Sequence, residues 1–265
     1  KVAGNIYSRM MNPTCAVLEQ RVAALEGGIG ALAVASGMAA ITYAIQTIAE
    51  AGDNLVSISE LYGGTYNLLA HTLPRQGIET RFADKDDFAG IEALIDDRTK
   101  LLYCESIGNP SGSVVDIKRL ADIAHAAGIP LVVDNTVATP FLWRPIEQGA
   151  DIVVHSATKY MGGHGTTMGG VIVDSGTFPW ADHPKRFALL NEPDVSYHGV
   201  SYTRDVGEAA FITRARVVSL RNMGAVLSAQ AAWNLLQGLE TLALRIERVC
   251  ENTLKIAEYL QQHPR

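Results

Sequence analysis

The hydrophobic positions of the chain fall into short continuous runs separated by stretches with helical spacing. The apolar runs have the length of buried strands and most end in polar residues; they are 31–35, 55–59, 80–83, 100–105, 130–134, 151–155 and 169–174. Between them, apolar residues recur every three or four positions, which is typical of helices that bury one face. Strands alternating with helices predict an α/β fold with a mostly parallel sheet sandwiched by helices.

Capping residues and changes of periodicity mark where the helices begin and end. Asn12 before Pro13 predicts the start of the first helix, and Gly27 predicts its end. Residues 177–203 lose the periodic pattern and predict a loop. From Ser228 to the end the spacing predicts one long helix with an apolar stripe that needs a packing partner. The stripe contains Leu239, Leu242, Ile246, Val249, Ile256 and Leu260, with Thr253 as a polar break.

Composition narrows the class of protein. The 265 residues are 48% hydrophobic and 19% charged, which excludes a disordered chain. The formal charge of −6 argues against a nucleic-acid or anionic-membrane surface, because both would favour an excess of Lys and Arg. Three single cysteines offer no disulfide framework, so we expect a cytoplasmic protein. The histidines have no partners at metal-ligand spacing, so we expect no metal site.

One glycine motif imitates a dinucleotide fingerprint. Gly28, Gly30 and Ala33 fit the GxGxxA form, and Asp53 lies 20 residues beyond Ala33. The fingerprint must follow a strand and open a helix, whereas here the pattern follows a helix and leads into a strand. The sequence therefore argues against NAD binding.

Candidate chemistry lies where polar residues follow the buried strands, since the carboxyl ends of parallel strands are where such sheets bind ligands. Lys159 lies in a glycine-rich turn just after one strand, and Asp134 ends another. Alone, the lysine is typical of a surface turn and the aspartate of a helix cap. Together they indicate pyridoxal phosphate, with a Schiff base at the lysine and the pyridine nitrogen held by the aspartate. Tyr62 could stack on such a planar ring.

Two further groups of residues could bind the cofactor's phosphate. Ser36, Gly37 and Met38 open a predicted helix, and the amides and dipole of a helix start attract an anion. The hydroxyls of Ser156 and Thr158 lie three residues and one residue before the lysine. An ordinary strand–helix turn remains the alternative for the first group.

These motifs resemble the Cys/Met-metabolism family of pyridoxal-phosphate enzymes. The lysine motif at 151–165 is long and specific, and further motifs occur in the family's order at 7–9, 36–38, 62–65, 105–110 and 134–136. The resemblance covers essentially the whole chain and implies the large domain of a fold-type-I enzyme. Residues 1–227 would form that domain, with 1–12 as the remnant of an N-terminal arm. Residues 228–265 would form the helix leading into a C-terminal domain that this chain lacks, so we expect a piece of a longer protein.

The resemblance also assigns roles to residues. Lys159 would bind the cofactor and shuttle protons, Asp134 would pair with the pyridine nitrogen, and Tyr62 would stack on the ring and assist proton transfer. Asn109 would lie near the ring's phenolic oxygen. The phosphate would be held by residues of two turns, namely Ser36, Gly37, Met38, Ser156 and Thr158. Tyr7 and Arg9 match a pair that reaches the phosphate of the neighbouring subunit, which implies a dimer at least and commonly a homotetramer.

Within the family, the chain is most similar to the enzymes of methionine biosynthesis that replace the acetate of O-acetylhomoserine by sulfide or methanethiol. This similarity lies in the stretches 178–180, 191–199, 221–224 and 237–242. The products would be acetate and homocysteine or methionine. Cystathionine γ-synthase, O-succinylhomoserine sulfhydrylase and methionine γ-lyase remain alternatives, although Gly64 stands where the lyases typically carry cysteine. The family's arginine for the substrate carboxylate lies in the absent domain. A non-catalytic binding or assembly domain is a further alternative, against which the intact Lys159 and Asp134 argue.

Overall fold

The computed structural model describes residues 4–264, so residues 1–3 of the predicted arm and residue 265 lie outside the description. Seven strands form one sheet in the order β1-β7-β6-β5-β4-β2-β3. The strands are β1 (Gly30–Val34), β2 (Asn54–Ile58), β3 (Glu79–Ala83), β4 (Thr99–Glu105), β5 (Leu131–Asp134), β6 (Ile152–His155) and β7 (Gly170–Asp174). β7 pairs antiparallel with β1 and β6, and the other pairs are parallel. The predicted mostly parallel sheet is therefore confirmed.

Helices cover both faces of the sheet. They are α1 (Pro13–Glu26), α2 (Gly37–Gln46), α3 (Gly63–Asn67), α4 (Phe88–Ala93), α5 (Ile117–Ala126), α6 (Thr139–Leu142), α7 (Ala188–Asn191), α8 (Tyr202–Val206), α9 (Ala210–Arg214), α10 (Arg221–Met223), α11 (Ala229–Glu240) and α12 (Leu242–Gln261). Short 3₁₀ or π turns lie at Leu68–Thr72, Leu73–Gln76, Pro145–Gln148, Trp180–Asp182, Gly207–Ala209 and Ala215–Leu220. Asn12 caps α1, as predicted, and its side chain accepts hydrogen bonds from the amides of Thr14 and Cys15.

The continuous apolar runs of the strands reflect burial on both faces. In β5, Val133 packs in the layer that contains α1, α5 and α11, while Val132 packs in the layer that contains α2 and α9. Asp134 ends β5 on the same face as Val132, because side chains alternate along a strand. The sheet thus carries the carboxylate to the edge where the parallel strands end.

The C-terminal stripe forms two helices where the spacing predicts one. Thr241 interrupts the helical backbone between α11 and α12, with φ −111° and ψ 10°. Arg245 in the first turn of α12 spans the break and donates a 2.7 Å hydrogen bond to the carbonyl of Gly238. α11 and the start of α12, as far as Ile246, pack into the core layer of α1. The boundary at 227/228 stays a prediction.

Beyond Ile246 the stripe is open to solvent, with Val249, Ile256 and Leu260 exposed. The covering domain therefore remains an expectation.

The predicted 177–203 loop contains short helical turns, including α7. Their ends are set by tertiary contacts such as the Asn191 side chain, which donates to the carbonyls of Trp180 and Phe187. Across residues 4–264, no helix is both long and apolar enough to cross a membrane.

Candidate active site

A cavity of about 1140 Å³ opens at the carboxyl edge of the sheet. Nine of the eleven sequence-predicted site residues line it: Ser36, Gly37, Met38, Tyr62, Asn109, Asp134, Ser156, Thr158 and Lys159. They come from the ends of several strands and from the turns that follow them, which is the position expected for a ligand in such a sheet. Tyr7 and Arg9 are not among the lining residues.

Asp134 forms the floor of the cavity and is oriented by Thr136. One oxygen of the Asp134 carboxylate accepts hydrogen bonds from the amide of Thr136 at 2.9 Å and from its hydroxyl at 2.5 Å. The same hydroxyl accepts a 2.8 Å bond from the amide of Ser156, so the ends of β5 and β6 are tied together. Burial raises the pKa of the Asp134 carboxyl, and the bonds from Thr136 only partly oppose this shift. A cation at this carboxylate would be strongly favoured.

The start of α2 forms a second wall. Ser36 caps the helix by accepting a 3.1 Å bond from the amide of Ala39. The amides of Gly37 and Met38 open the first turn, where no carbonyl four residues earlier in the helix is available to them. A side chain at Gly37 would place its Cβ 2.5 Å from the Cβ of Ser156, so only glycine lets the two turns approach. The result is a compact set of amides and hydroxyls suited to an anion.

The Lys159 turn is held through its backbone while the side chain stays free. Gly163 donates a 2.8 Å bond to the carbonyl of Lys159, and the Thr158 hydroxyl bonds with both the amide and the carbonyl of Gly169. Within residues 4–264, the ammonium of Lys159 makes no hydrogen bond or ion pair, and the residue is exposed at the cavity. The backbone of Lys159 is thus fixed, while its amino group stays unpaired and available for covalent chemistry.

Glu105 joins the two loops that carry Tyr62 and Asn109. Its carboxylate accepts a 2.7 Å bond from the amide of Tyr62 and a 3.3 Å bond from the amide of Asn109. Glu105 ends β4 and lies directly opposite Asp134 in the parallel register. Burial, with a further contribution from the charge of Asp134, raises the pKa of Glu105 to about 7.

Arg245 ties the start of α12 to the segment after the lysine. Its guanidinium donates to the carbonyls of Tyr160 at 2.6 Å and Met161 at 3.3 Å, in addition to that of Gly238. Burial lowers the pKa of Arg245. The contact positions the backbone that follows Lys159.

Tyr7 and Arg9 lie together on the surface, outside the cavity of their own chain. Both side chains are exposed, and the Arg9 guanidinium lies 5.1 Å from the centre of the Tyr7 ring. Arg9 also donates to the carbonyl of Arg221, and Arg216 donates a 2.8 Å bond to the carbonyl of Met10. These contacts hold the segment on the body of the chain. The predicted contact with a neighbouring subunit stays a prediction.

The cavity residues fit pyridoxal phosphate. The capped start of α2 and the neighbouring hydroxyls offer donors for a phosphate, and within residues 4–264 neither the part-buried carboxylate of Asp134 nor the amino group of Lys159 has an ion-pair partner. The dinucleotide pattern fails, because α1 ends at Glu26 and β1 begins at Gly30, so the motif leads from a helix into a strand. Residues 4–264 contain no group of three or more His, Cys, Asp or Glu side chains arranged to share a metal ion.

A mostly parallel α/β sheet that presents an unpaired lysine and a part-buried aspartate at its carboxyl edge is typical of a class of pyridoxal-phosphate enzymes. Residues 1–265 match the family described as Cys/Met metabolism PLP-dependent enzymes. The chain belongs to this family, and pyridoxal phosphate is the family's cofactor.

The chain is also similar to individual proteins and to a solved structure. The chain is 54% identical over 263 residues to "Homocysteine synthase" of Schizosaccharomyces pombe and 49% identical over 270 residues to "O-acetyl-L-homoserine sulfhydrylase" of Leptospira meyeri, covering 99% of this chain and 61% of each relative. It therefore spans about three fifths of these relatives. A crystal structure from Campylobacter jejuni, named O-acetylhomoserine (thiol)-lyase and containing N'-pyridoxyl-lysine-5'-monophosphate, superposes with a TM-score of 0.96 at 45% identity, covering 99% of this chain and 65% of that one.

The sequence alone assigns no role to three further residues of the site. Thr136 carried a recognisable signal, because a threonine two residues after an aspartate commonly bonds back to its carboxylate. Glu105 stood in a quoted motif, but its bonds to two separate loops depend on the strand register. Arg245 gave no local signal, since it bonds across 85 positions of sequence to Tyr160.

Proposed function

We propose that the whole protein catalyses γ-replacement on O-acetylhomoserine, in which sulfide or methanethiol displaces acetate and homocysteine or methionine is formed. The observation that carries this proposal is the unpaired amino group of Lys159 in one cavity with the part-buried carboxylate of Asp134. The names of the similar proteins support the choice of substrate within the family. When bound, the cofactor would withdraw electrons from the α-carbon of the amino-acid substrate.

Each cavity residue has a proposed task toward that chemistry. The amine of Lys159 would bind the cofactor and then move protons at the α- and β-carbons of the substrate, and the Asp134 carboxylate would hold the proton on the pyridine nitrogen. The ring of Tyr62 would stack on the cofactor and assist proton transfer, with Asn109 beside the phenolic oxygen. The phosphate would be bound by the two turns described above, at Ser36, Gly37, Met38, Ser156 and Thr158.

Gly64 bears on the choice between γ-replacement and γ-elimination. A side chain at position 64 would place its Cβ 2.5 Å from an edge carbon of the Tyr62 ring, so glycine lets that ring pack onto the chain. Methionine γ-lyases typically carry a cysteine at this place. Because this chain has glycine there, we favour γ-replacement over γ-elimination.

The exposed pair of Tyr7 and Arg9 supports an oligomer in which one subunit completes the phosphate site of another. Neither side chain lines the cavity of its own chain, although both are held on the surface by local contacts. We propose a dimer at least and a homotetramer as the full assembly. A cytoplasmic location agrees with the three unpaired cysteines.

The first experiment tests the cofactor and its lysine. Borohydride reduction of the full-length protein, followed by peptide mass spectrometry, should place a pyridoxyl group on Lys159. Lys159→Ala should lose the adduct, whereas Lys185→Ala, which removes another exposed lysine, should retain it. An adduct on another lysine, or none, would contradict the assignment.

The second experiment tests the substrate. Products are measured from O-acetylhomoserine with sulfide, methanethiol and cysteine in competition. We expect homocysteine and methionine together with stoichiometric acetate. Cystathionine as the main product, or release of 2-oxobutyrate without a thiol, would show that another branch of the family is correct.

A further inference from the structure

Glu105 holds the backbones of two loops that meet over the cavity. The amides of Tyr62 and Asn109 belong to residues 47 positions apart, yet both donate to the carboxylate of this one side chain. Glu105 is only 5% exposed and still lines the cavity. Its two oxygens are thus shared between the two elements that carry the residues expected beside the cofactor ring.

Within residues 4–264, the amide of Tyr62 has no acceptor other than this carboxylate. Tyr62 precedes α3 without a side-chain capping bond, and the residue is 47% exposed. The Asn109 loop has several other backbone anchors, among them the 2.8 Å bonds from the amide of Gly108 to the carbonyl of Ser113 and from the amide of Gly112 to the carbonyl of Gly108. Removing the carboxylate therefore frees Tyr62 more than it frees Asn109.

The chemistry of the carboxylate is specific to this arrangement. Two backbone donors require two acceptor oxygens, and a carboxylate supplies both. A glutamine of the same size supplies one oxygen and turns an NH₂ group toward the other amide. Keeping a second acid next to Asp134 is electrostatically unfavourable, so a compensating role is expected for Glu105.

We propose that Glu105 is a positioning residue whose carboxylate fixes the backbones that present Tyr62 and Asn109 to the cavity. Its effect on catalysis rests on the proposed function, whereas its effect on the two loops does not. The role is separate from binding the cofactor or the substrate, because both oxygens of Glu105 are already engaged by main-chain amides.

The test compares Glu105→Gln with wild type and with Ser106→Ala in the full-length protein. Ser106 is the matched control, because it is the next residue, is buried, and its hydroxyl has no hydrogen-bond partner within residues 4–264. Hydrogen–deuterium exchange with residue-level fragmentation reports the amides directly. We expect exchange at Tyr62 to accelerate at least about tenfold in Glu105→Gln, with a smaller increase at Asn109. The amide of Ser106, which donates to the carbonyl of Asp134, should not change.

A second variant keeps the negative charge of Glu105 and changes only the length of the side chain. Glu105→Asp keeps two acceptor oxygens on a shorter side chain, so its exchange at Tyr62 should fall between wild type and Glu105→Gln. If Tyr62 exchanges at the wild-type rate in both variants, the proposal is overturned. If all strands of the sheet exchange faster together, the residue stabilises the whole fold and the positioning role is equally overturned.

The enzymatic readout follows in the cofactor-loaded protein. Misplacement of the residues around the ring should lower kcat about tenfold or more in Glu105→Gln while KM changes little, and Ser106→Ala should retain wild-type values. Faster exchange at Tyr62 in Glu105→Gln, together with a wild-type protein that makes neither homocysteine nor methionine, would uphold the positioning role and refute the proposed function. Normal exchange together with full activity would refute the positioning role alone.

Discussion

Gly238 lies in the last turn of α11, where helix propensity and tertiary contact make opposite predictions for the substitution Gly238→Ala. In an exposed helix, alanine is favoured over glycine by about 1 kcal/mol. Here a Cβ at position 238 would lie 2.4 Å from the carbonyl oxygens of both Gly162 and Met161. These oxygens belong to the backbone that follows Lys159, so no flexible side chain can move away.

The size of the effect follows from that distance. A carbon and a carbonyl oxygen in contact lie about 3.3 Å apart, so α11 would have to retreat by about 1 Å. Overpacking of this kind costs about 1–3 kcal/mol. The retreat also weakens the bonds of Arg245 to the carbonyls of Tyr160 and Met161, and a hydrogen bond to a charged group contributes about 1.5–3 kcal/mol. After the gain in propensity is subtracted, we expect a net destabilisation of about 2–4 kcal/mol.

The assay is thermal and urea unfolding of Gly238→Ala beside wild type. A destabilisation of this size lowers the Tm by about 4–16 °C in a chain of this length. Gln237→Ala is the matched control, because the neighbouring residue is exposed on the same helix, and its effect should stay within about 0.5 kcal/mol. A Gly238→Ala protein as stable as wild type, or more stable, would refute the contact between α11 and the lysine segment.

Two further substitutions test charged groups. Arg245→Lys keeps the charge but cannot bridge the carbonyls of Tyr160 and Gly238, so we expect a loss of about 1–2 kcal/mol in urea unfolding, whereas the exposed Arg248→Lys should change nothing measurable. Burial raises the pKa of Asp174 to about 7, so between about pH 4 and 7 the folded chain holds a proton that the unfolded chain releases, and the free energy of unfolding falls as pH rises. Asp174→Asn should remove up to about 1.4 kcal/mol per pH unit from that slope, and identical slopes in the two proteins would contradict the shift.

Much of the fold and of the site is predictable from the sequence because the information is local. A strand buried on both faces must be apolar throughout, so the first polar residue marks its end, and this rule locates Asp134 and the segment before Lys159. Helix caps such as Asn12 and Ser36 are equally local, since each bonds to amides within three positions. The structure brings nine of the eleven predicted site residues to one cavity, although their chemical roles stay predictions.

What could not be predicted depends on long-range contacts. The antiparallel direction of β7 leaves no trace in a strand that is apolar on both faces. The break at Thr241 lies beside Arg245, whose bonds to the carbonyls of Tyr160 and Met161 cross more than 80 positions of sequence. The role of Glu105 needs the strand register and two separate loops at once.

Glycines around the lysine have a common physical reason, which is direct contact between backbones. A Cβ at Gly170 would lie 2.1 Å from the carbonyl oxygen of Ser36, and one at Gly37 would meet Ser156, while Gly238 lies against the carbonyls that follow Lys159. Backbone contacts of this kind leave no side chain that could rearrange, so the turn that carries Lys159 is held on two sides by rigid elements. The ammonium itself has no partner within residues 4–264. A fixed backbone with an unpaired amino group suits the role proposed for Lys159, which is to bind the cofactor, release it and move protons from one position.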